Sequence, residues 1–343
     1  MTAPLSLVGT YGSPYSLKMR AVLRYRHIPF TWVLQNTPGE RALPKPPVAI
    51  IPVLGFPDAS GAVTEVMVDS TPQIARLETM FSERSLVPTD PAIAFLDLLI
   101  EDYADEWVTK AMYHYRWAPP EAVARARRLL PVWPMLHADD ARLDQWGDFI
   151  VDRQVGRRAL VGSTDANAPV IESSYVRLLE ILNRQIEAHD FLLGDRPGSA
   201  DFGLYGQLSQ LVIIEPTSTA LCLELAPRVY SWVNRMDDLS WWAVDGDRGW
   251  ADRSEVPSPT LRPLLDEIGA TYVPFMLANE AALAAGEPEV VCTIRGLEYR
   301  QGAFPYQGKT IRWLREARAA LDEADRAWVD GVLAGTGCEA LFA

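Results

Sequence analysis

The chain has 343 residues, 48% hydrophobic and 22% charged, with 32 basic against 45 acidic side chains and a formal net charge of −13. That length favours two domains over one, and the acidic balance excludes a protein that follows nucleic acid or an anionic membrane by charge alone. The three widely spaced cysteines, Cys222, Cys292 and Cys338, form no Cys-x-x-Cys pair and so offer neither a disulfide framework nor a zinc knuckle.

Met1 to Gly9 has no basic segment leading into a long apolar one, and no apolar run reaches about 18 residues. The expected location is the cytoplasm, with no membrane partner. Leu5 to Val8 is a brief apolar run ending in the turn Gly9-Thr10-Tyr11-Gly12. Pro14 to Tyr25 has helical periodicity, with Leu17, Ala21, Val22, Leu23 and Tyr25 on the apolar side and Lys18, Arg20, Arg24 and Arg26 among the polar positions. Phe30 to Leu34 reads as a strand, which makes a β-α-β unit with parallel pairing. A proline-heavy connection (Pro44, Pro46, Pro47) leads to strands at Val53–Phe56 and Val63–Val68, joined by turn chemistry at Asp58–Gly61, and then to a helix from Ser70 to Phe81. The order β-α-β, β-β-α is that of a thioredoxin-like domain.

After a linker at Pro88–Pro91 the pattern turns helical: Ile93–Trp117, Pro120–Leu130, Leu143–Ala159, Val170–Ala188, Ser199–Ile214 and Arg228–Met236, the last headed by Pro227. Leu239 to Pro259 reads as an irregular connection. A long helix (Leu261–Ala285), a hairpin (Val290–Phe304) and a helix (Gly308–Leu321) follow as an appended α+β unit. The expected domains are 1–86, 91–240 and 255–343, the last packed on the helical domain through apolar faces too large to leave wet.

Three features of the first domain carry chemistry. Ser13 precedes Pro14 at a helix start, where it is either a plain N-cap or, at the positive end of the helix, a hydroxyl placed to stabilise a thiolate. Ile51-Pro52 stands directly before a strand, where proline gives up a ladder N–H; a cis bond there exposes the Ile51 main chain to an incoming peptide. Asp69-Ser70 ends a strand at a helix start, and serves either as a cap or as a receiver of a ligand's carboxylate and ammonium groups.

Together these segments resemble the cytosolic glutathione transferases of the serine type. Ser13-Pro14-Tyr15-Ser16 is similar to the glutaredoxin motif Cys-Pro-Tyr-Cys with both cysteines replaced. Ile51-Pro52-Val53-Leu54 resembles the cis-proline segment of the family, and Asp69-Ser70 its motif for the γ-glutamyl end of glutathione. Phe191 to Asp195 with Ser199-Ala200-Asp201 resembles the helical-core signature, although Gly198 stands where the family has a capping Ser or Thr. The resemblance covers about residues 5 to 240 and implies glutathione as co-substrate, held by Tyr15, Ile51, Pro52, Asp69 and Ser70. Ser13 is the expected activating hydroxyl, with Tyr11 and Ser16 as alternatives. The run from Glu101 to Trp117 resembles a long-chain bacterial-type branch.

On that run, helical spacing brings Glu106, Thr109 and Tyr113 near one line with Asp102, Asp105 and Lys110 beside it. Two readings stand. Tyr113, His114, Arg116 and Trp117 line a pocket for a second, hydrophobic and electrophilic substrate, or the acids form a solvated face or interdomain ion pairs and the aromatics are core. The four histidines, His27, His114, His137 and His189, show no ligand spacing, so no metal is expected. The expected activity is attack of a glutathione thiolate on an electrophile, by a homodimer. The rivals are a non-catalytic glutathione-binding protein and a glutathione-dependent lyase or isomerase.

Overall fold

The computed structural model describes residues 3–343. Its first unit runs β1 (Leu5–Gly9), α1 (Pro14–Tyr25), β2 (Phe30–Leu34), a short α2 (Pro38–Arg41), β3 (Val53–Pro57), β4 (Val63–Val68) and α3 (Ser70–Met80). The strands form one sheet in the order β2-β1-β3-β4, parallel between β1 and β2 and antiparallel elsewhere, with Leu7 opposite both Trp32 and Leu54. Ser13 caps α1, its Oγ accepting the Ser16 N–H at 3.2 Å, with Pro14 in the first turn where no N–H is missed.

The helical unit begins with α4 (Pro91–Tyr103), which continues through a π-helical turn at Ala104–Val108 into α5 (Thr109–Trp117). The single helix expected over Ile93–Trp117 is therefore continuous but underwound by one wide turn. Such turns re-aim consecutive side chains, and here Asp105 and Glu106 both face the interdomain cleft. Next come α6 (Pro120–Leu129), α7 (Asp140–Val155), α8 (Ala168–Ala188), α9 (Ser199–Leu211), α10 (Pro216–Leu225) and α11 (Pro227–Met236). Helix α9 is wholly buried and packs on α1 and α4. Its N-terminus lacks a capping hydroxyl at Gly198, and Asp97 from α4 supplies the cap: its carboxylate accepts the Ser199 and Ala200 N–H groups at 3.0 Å each. A Cβ at Gly198 would lie 2.3 Å from Asp97 Oδ1, so the glycine makes room for the borrowed cap.

No helix or strand occurs between Met236 and Arg262. The C-terminal unit comprises α12 (Arg262–Ala285), β5 (Glu289–Ile294), β6 (Leu297–Gly302), α13 (Pro305–Ala320), α14 (Glu323–Leu333) and a 3-10 turn (Cys338–Phe342). It docks through aromatic pairs: Tyr103 meets Tyr272 at 6.2 Å, Trp107 meets Phe275 at 5.9 Å, and Phe95 meets Phe342 at 5.6 Å between ring centres. The architecture is thus a thioredoxin-like unit, a helical unit and an α+β extension.

Candidate functional site

Where the three units meet, a cavity of about 550 Å³ is walled by α1, the Val48–Pro52 loop, the start of α3, the α4–α5 helix, β6 and α13. Its contents follow from short-range chain rules at the first domain's end. The Ile51-Pro52 peptide is cis, and among the described residues no protein acceptor takes the Ile51 N–H. Asp69 adopts φ +78°, a left-handed value that costs a non-glycine residue about 1–3 kcal/mol and concentrates at functional sites. Behind it Ser70 is buried, and its Oγ accepts from Lys18 Nζ at 3.2 Å. Tyr15, Ile51, Pro52, Asp69 and Ser70 all border the cavity.

Lys18, placed among the polar positions of α1 by periodicity, is fully buried. It spans the two domains to Glu101 Oε1 at 2.7 Å and Asp105 Oδ2 at 2.6 Å. Burial alone would push this amine down; Asp105 and Glu101 outweigh it and hold the pKa above the ordinary lysine value. The sequence offered one signal for the pair, the acids on the Glu101–Glu106 run, but none for a partner 83 residues upstream of Glu101.

Asp105 of that ion pair and the acids beside it, Asp102 and Glu106, are set in a graded field. Burial pushes Asp105 up to about 6 against the pull of Lys18, Asp102 up to about 7 against a hydrogen bond from Tyr272, and Glu106 up to about 8, with Asp102 adding repulsion. Asp69 is raised by burial despite the Tyr306 hydroxyl on its carboxylate. Buried polar atoms that have no protein partner, Asp105 Oδ1 and Gln307 Oε1, belong to residues on the same wall. Such atoms are costly to bury unless a ligand or water pairs with them.

Of the hydroxyls near the first turn, Ser13 is buried at the α1 cap, and among the described residues no acceptor takes its own O–H. Ser16 is fully buried against β1, where a Cβ on Gly9 would lie 2.6 Å from its Oγ. Tyr11 stands between Trp32 and Trp133, at 5.8 and 6.0 Å, under the Arg20 guanidinium. The Tyr15 hydroxyl donates to the Asp105 carbonyl at 2.8 Å and is committed to joining the domains.

On α5 only Tyr113 of the four expected second-substrate residues lines the cavity, its hydroxyl donating to the Gln154 carbonyl at 2.6 Å. The other three do not line it: each is held by partners elsewhere. His114 is buried between Ser163 and Glu172. Arg116 is an internal strut, bonded to Glu215, the Gly12 carbonyl and Gln210. Trp117 is core. The residues that do join Tyr113 on the wall are Asp102, Glu106, Thr109 and Lys110 of the same helix, and Phe304, Gln307 and Trp313 of the extension, which sequence reading did not connect to the site. Among the described residues there is no group of three or more His, Cys, Asp or Glu side chains arranged to hold a metal ion, and no helix long and apolar enough to cross a membrane.

The family description "Glutathione S-transferase, N-terminal domain" matches residues 7–85, and "Glutathione S-transferase, C-terminal domain" matches residues 120–235. No curated protein matches the chain in sequence. Similar solved structures include a Tau class glutathione S-transferase from mango, Mangifera indica (17% identity, TM-score 0.42, covering 69% of this chain and 89% of that one). A glutathione transferase family member from Pseudomonas fluorescens, solved with two glutathione bound, has 12% identity and a TM-score of 0.41, covering 68% of this chain and 88% of that one. The β-etherase of Sphingobium sp. strain SYK-6 has 17% identity and a TM-score of 0.47, covering 78% of this chain and 100% of that one. With its N-terminal and C-terminal domains both matched over more than half of its length, the chain belongs to the glutathione S-transferase family.

Proposed function

We propose that the protein binds glutathione at the first-domain end of the cavity, activates its thiol as the thiolate, and directs it at a hydrophobic electrophile held against α5 and α13. The observation that carries this reading is the convergence of a free Ile51 main chain and the strained Asp69 around one cavity, which Pro14, the residue after the capping Ser13, also borders, in a chain of this family. Asp69 is suited to the γ-glutamyl ammonium group, Ser70 to its carboxylate, and the Ile51 main chain to the cysteinyl unit.

Activation needs no separate base. A free thiol has a pKa of about 8.5, and lowering it by two units requires about 2.7 kcal/mol of preference for the anion. One hydroxyl donating to the sulfur contributes roughly 1.5–3 kcal/mol, and a helix N-terminus roughly 0.3–1 kcal/mol more. The Ser13 hydroxyl, with its hydrogen uncommitted, meets both conditions. Serine forms no mixed disulfide, so addition or conjugation is favoured over thiol–disulfide exchange.

The test is calorimetric titration with glutathione together with thioether formation across a panel of apolar electrophiles. Saturable binding with turnover supports the reading. Binding without turnover on any electrophile identifies instead a glutathione-binding protein that keeps the family fold. The protein is expected to act as a homodimer, which sedimentation checks.

A further inference from the structure

Of the 32 basic residues only four are lysines, Lys18, Lys45, Lys110 and Lys309, and two of these are buried in opposite surroundings. Lys18 meets two carboxylates. Lys110, only 1% exposed, forms no ion pair among the described residues: its Nζ donates to the Gln301 amide oxygen at 2.5 Å and sits over the faces of Phe275, Trp107 and Tyr299 at 4.0, 5.8 and 5.9 Å. It borders the cavity, whose lining also includes the apolar side chains of Leu98, Met112, Leu160, Val161, Phe304 and Trp313.

In a chain that uses arginine almost everywhere else, lysine at this position is informative. A guanidinium cannot shed its charge, whereas an ammonium can. We propose that Lys110 is an amine nucleophile that forms a Schiff base with an aldehyde or ketone bound in the apolar part of the cavity. This site is independent of the glutathione-binding residues, although it rests on the cavity being the second-substrate site.

The environment matches the chemistry. Burial pushes the Lys110 amine down to about 7, opposed by Glu106 one turn earlier on the same helix and by Cys292 on β5. The Cys292 thiol is itself pushed up by burial to about 11, and the Tyr299 phenol on β6 is raised by burial, so neither carries charge at neutral pH. Glu106, pushed up by burial to about 8, keeps its proton there. Both shifts favour the uncharged forms, a free amine on Lys110 and a protonated carboxyl group on Glu106. A desolvated lysine in an apolar pocket is an activated nucleophile.

The balance closes without an added reagent. The amine lone pair attacks the carbonyl carbon, the C=O π pair moves to oxygen, and that oxygen takes the Glu106 proton. The Glu106 carboxylate removes one proton from the new C–N nitrogen and returns it to the hydroxyl group, which leaves as water while the nitrogen pair forms C=N. One amine and one carbonyl thus give one iminium, one water and the Glu106 carboxylate as counterion. On an α,β-unsaturated carbonyl the iminium strengthens the acceptor for a thiolate. Sulfur then bonds to the β-carbon, and the C=C pair shifts to give an enamine. Protonation at the α-carbon and hydrolysis release the thioether carbonyl and free Lys110. The substrate class assigned is therefore a hydrophobic α,β-unsaturated aldehyde or ketone.

The experiment is reductive trapping on the full chain: benzaldehyde with cyanoborohydride, without glutathione, followed by peptide mass mapping from pH 5 to 9. Expected is a single adduct at Lys110 whose rate rises with a midpoint near 7, at least about tenfold faster at pH 7 than at the exposed Lys45 or the half-buried Lys309. Lys110→Arg, which keeps a donor to Gln301, abolishes the adduct while leaving glutathione binding unchanged. Labelling confined to Lys45, Lys309 or the N-terminus, or at Lys110 no faster than at these, overturns the proposal. Because the trapping omits glutathione, its failure leaves the glutathione reading standing, and failure of glutathione to bind leaves the trapping result interpretable.

Discussion

The phenol of Tyr306 donates to Asp69 Oδ2 at 2.6 Å, joining α13 to the end of β4 across 237 residues of chain. The residue proposed to receive the ammonium group of glutathione is thus touched by the extension, and Gln307, Thr310 and Trp313 behind Tyr306 complete the cavity wall. The extension is part of the site.

Truncation at residue 250 therefore removes a wall and uncovers the aromatic docking surface of Phe95, Tyr103 and Trp107. Apolar patches of that kind drive association. The truncated protein is expected to melt at lower temperature, bind a hydrophobic dye and aggregate, as light scattering reports. A monodisperse fragment with the full-length melting temperature would sink this view.

Ser70→Ala removes a hydroxyl that Lys18 Nζ touches and that is proposed to hold a glutathione carboxylate. Loss of a charged hydrogen bond, roughly 1.5–3 kcal/mol, raises the dissociation constant about ten- to a hundredfold. Calorimetry that finds the same affinity in wild type and variant removes Ser70 from the site.

Lys18→Met leaves Glu101 and Asp105 buried without their cation. Removing one partner of a buried pair costs about 3–5 kcal/mol. Urea unfolding is expected to show that loss as a fall in midpoint. A neutral effect would mean that water already reaches these carboxylates.

Stability should also rise as pH falls from 7 to about 5. Asp102 and Asp105 titrate near 7 and 6 in the folded chain, Glu106 near 8 and Asp201, buried at the α9 cap, near 7. Each lies above its unfolded value of about 4, so over this window the folded state binds more protons than the unfolded state, and raising the pH destabilises it. Lys110, depressed to about 7, works the other way only above that pH. Melting temperatures that climb steadily from pH 5 to 7 would contradict the assignment.

The first domain was legible because its signals are local. Pro14 to Tyr25 and Val63 to Val68 form the helix and strand that their periodicity predicts, and Asp69-Ser70 falls at the junction where its residue types belong. Three helices were missed: Pro38–Arg41, only one turn long inside the proline-rich connection, Pro216–Leu225, which has little periodicity, and Glu323–Leu333 near the end. Long-range chemistry was less legible. Lys18 looks like a surface residue because its compensating acids lie on another domain. Asp97 looks like an ordinary helix residue because the glycine it compensates lies 101 positions on. The acid line on α4 and α5 was read correctly as neighbours, but whether it faced solvent, a partner or a cavity depends on the extension that covers it.

The central claim is that Ser13 holds a glutathione thiolate, and thiolate absorbance of the bound complex against pH tests it most directly. In wild type the midpoint should fall well below the free-thiol value of about 8.5. Ser13→Ala should return it upward and cut turnover at neutral pH about tenfold or more while leaving affinity nearly intact. Ser16→Ala should do little, since that hydroxyl is buried against β1. A midpoint that moves only in Tyr11→Phe, or a wild-type complex with no depressed thiol pKa, would contradict the account.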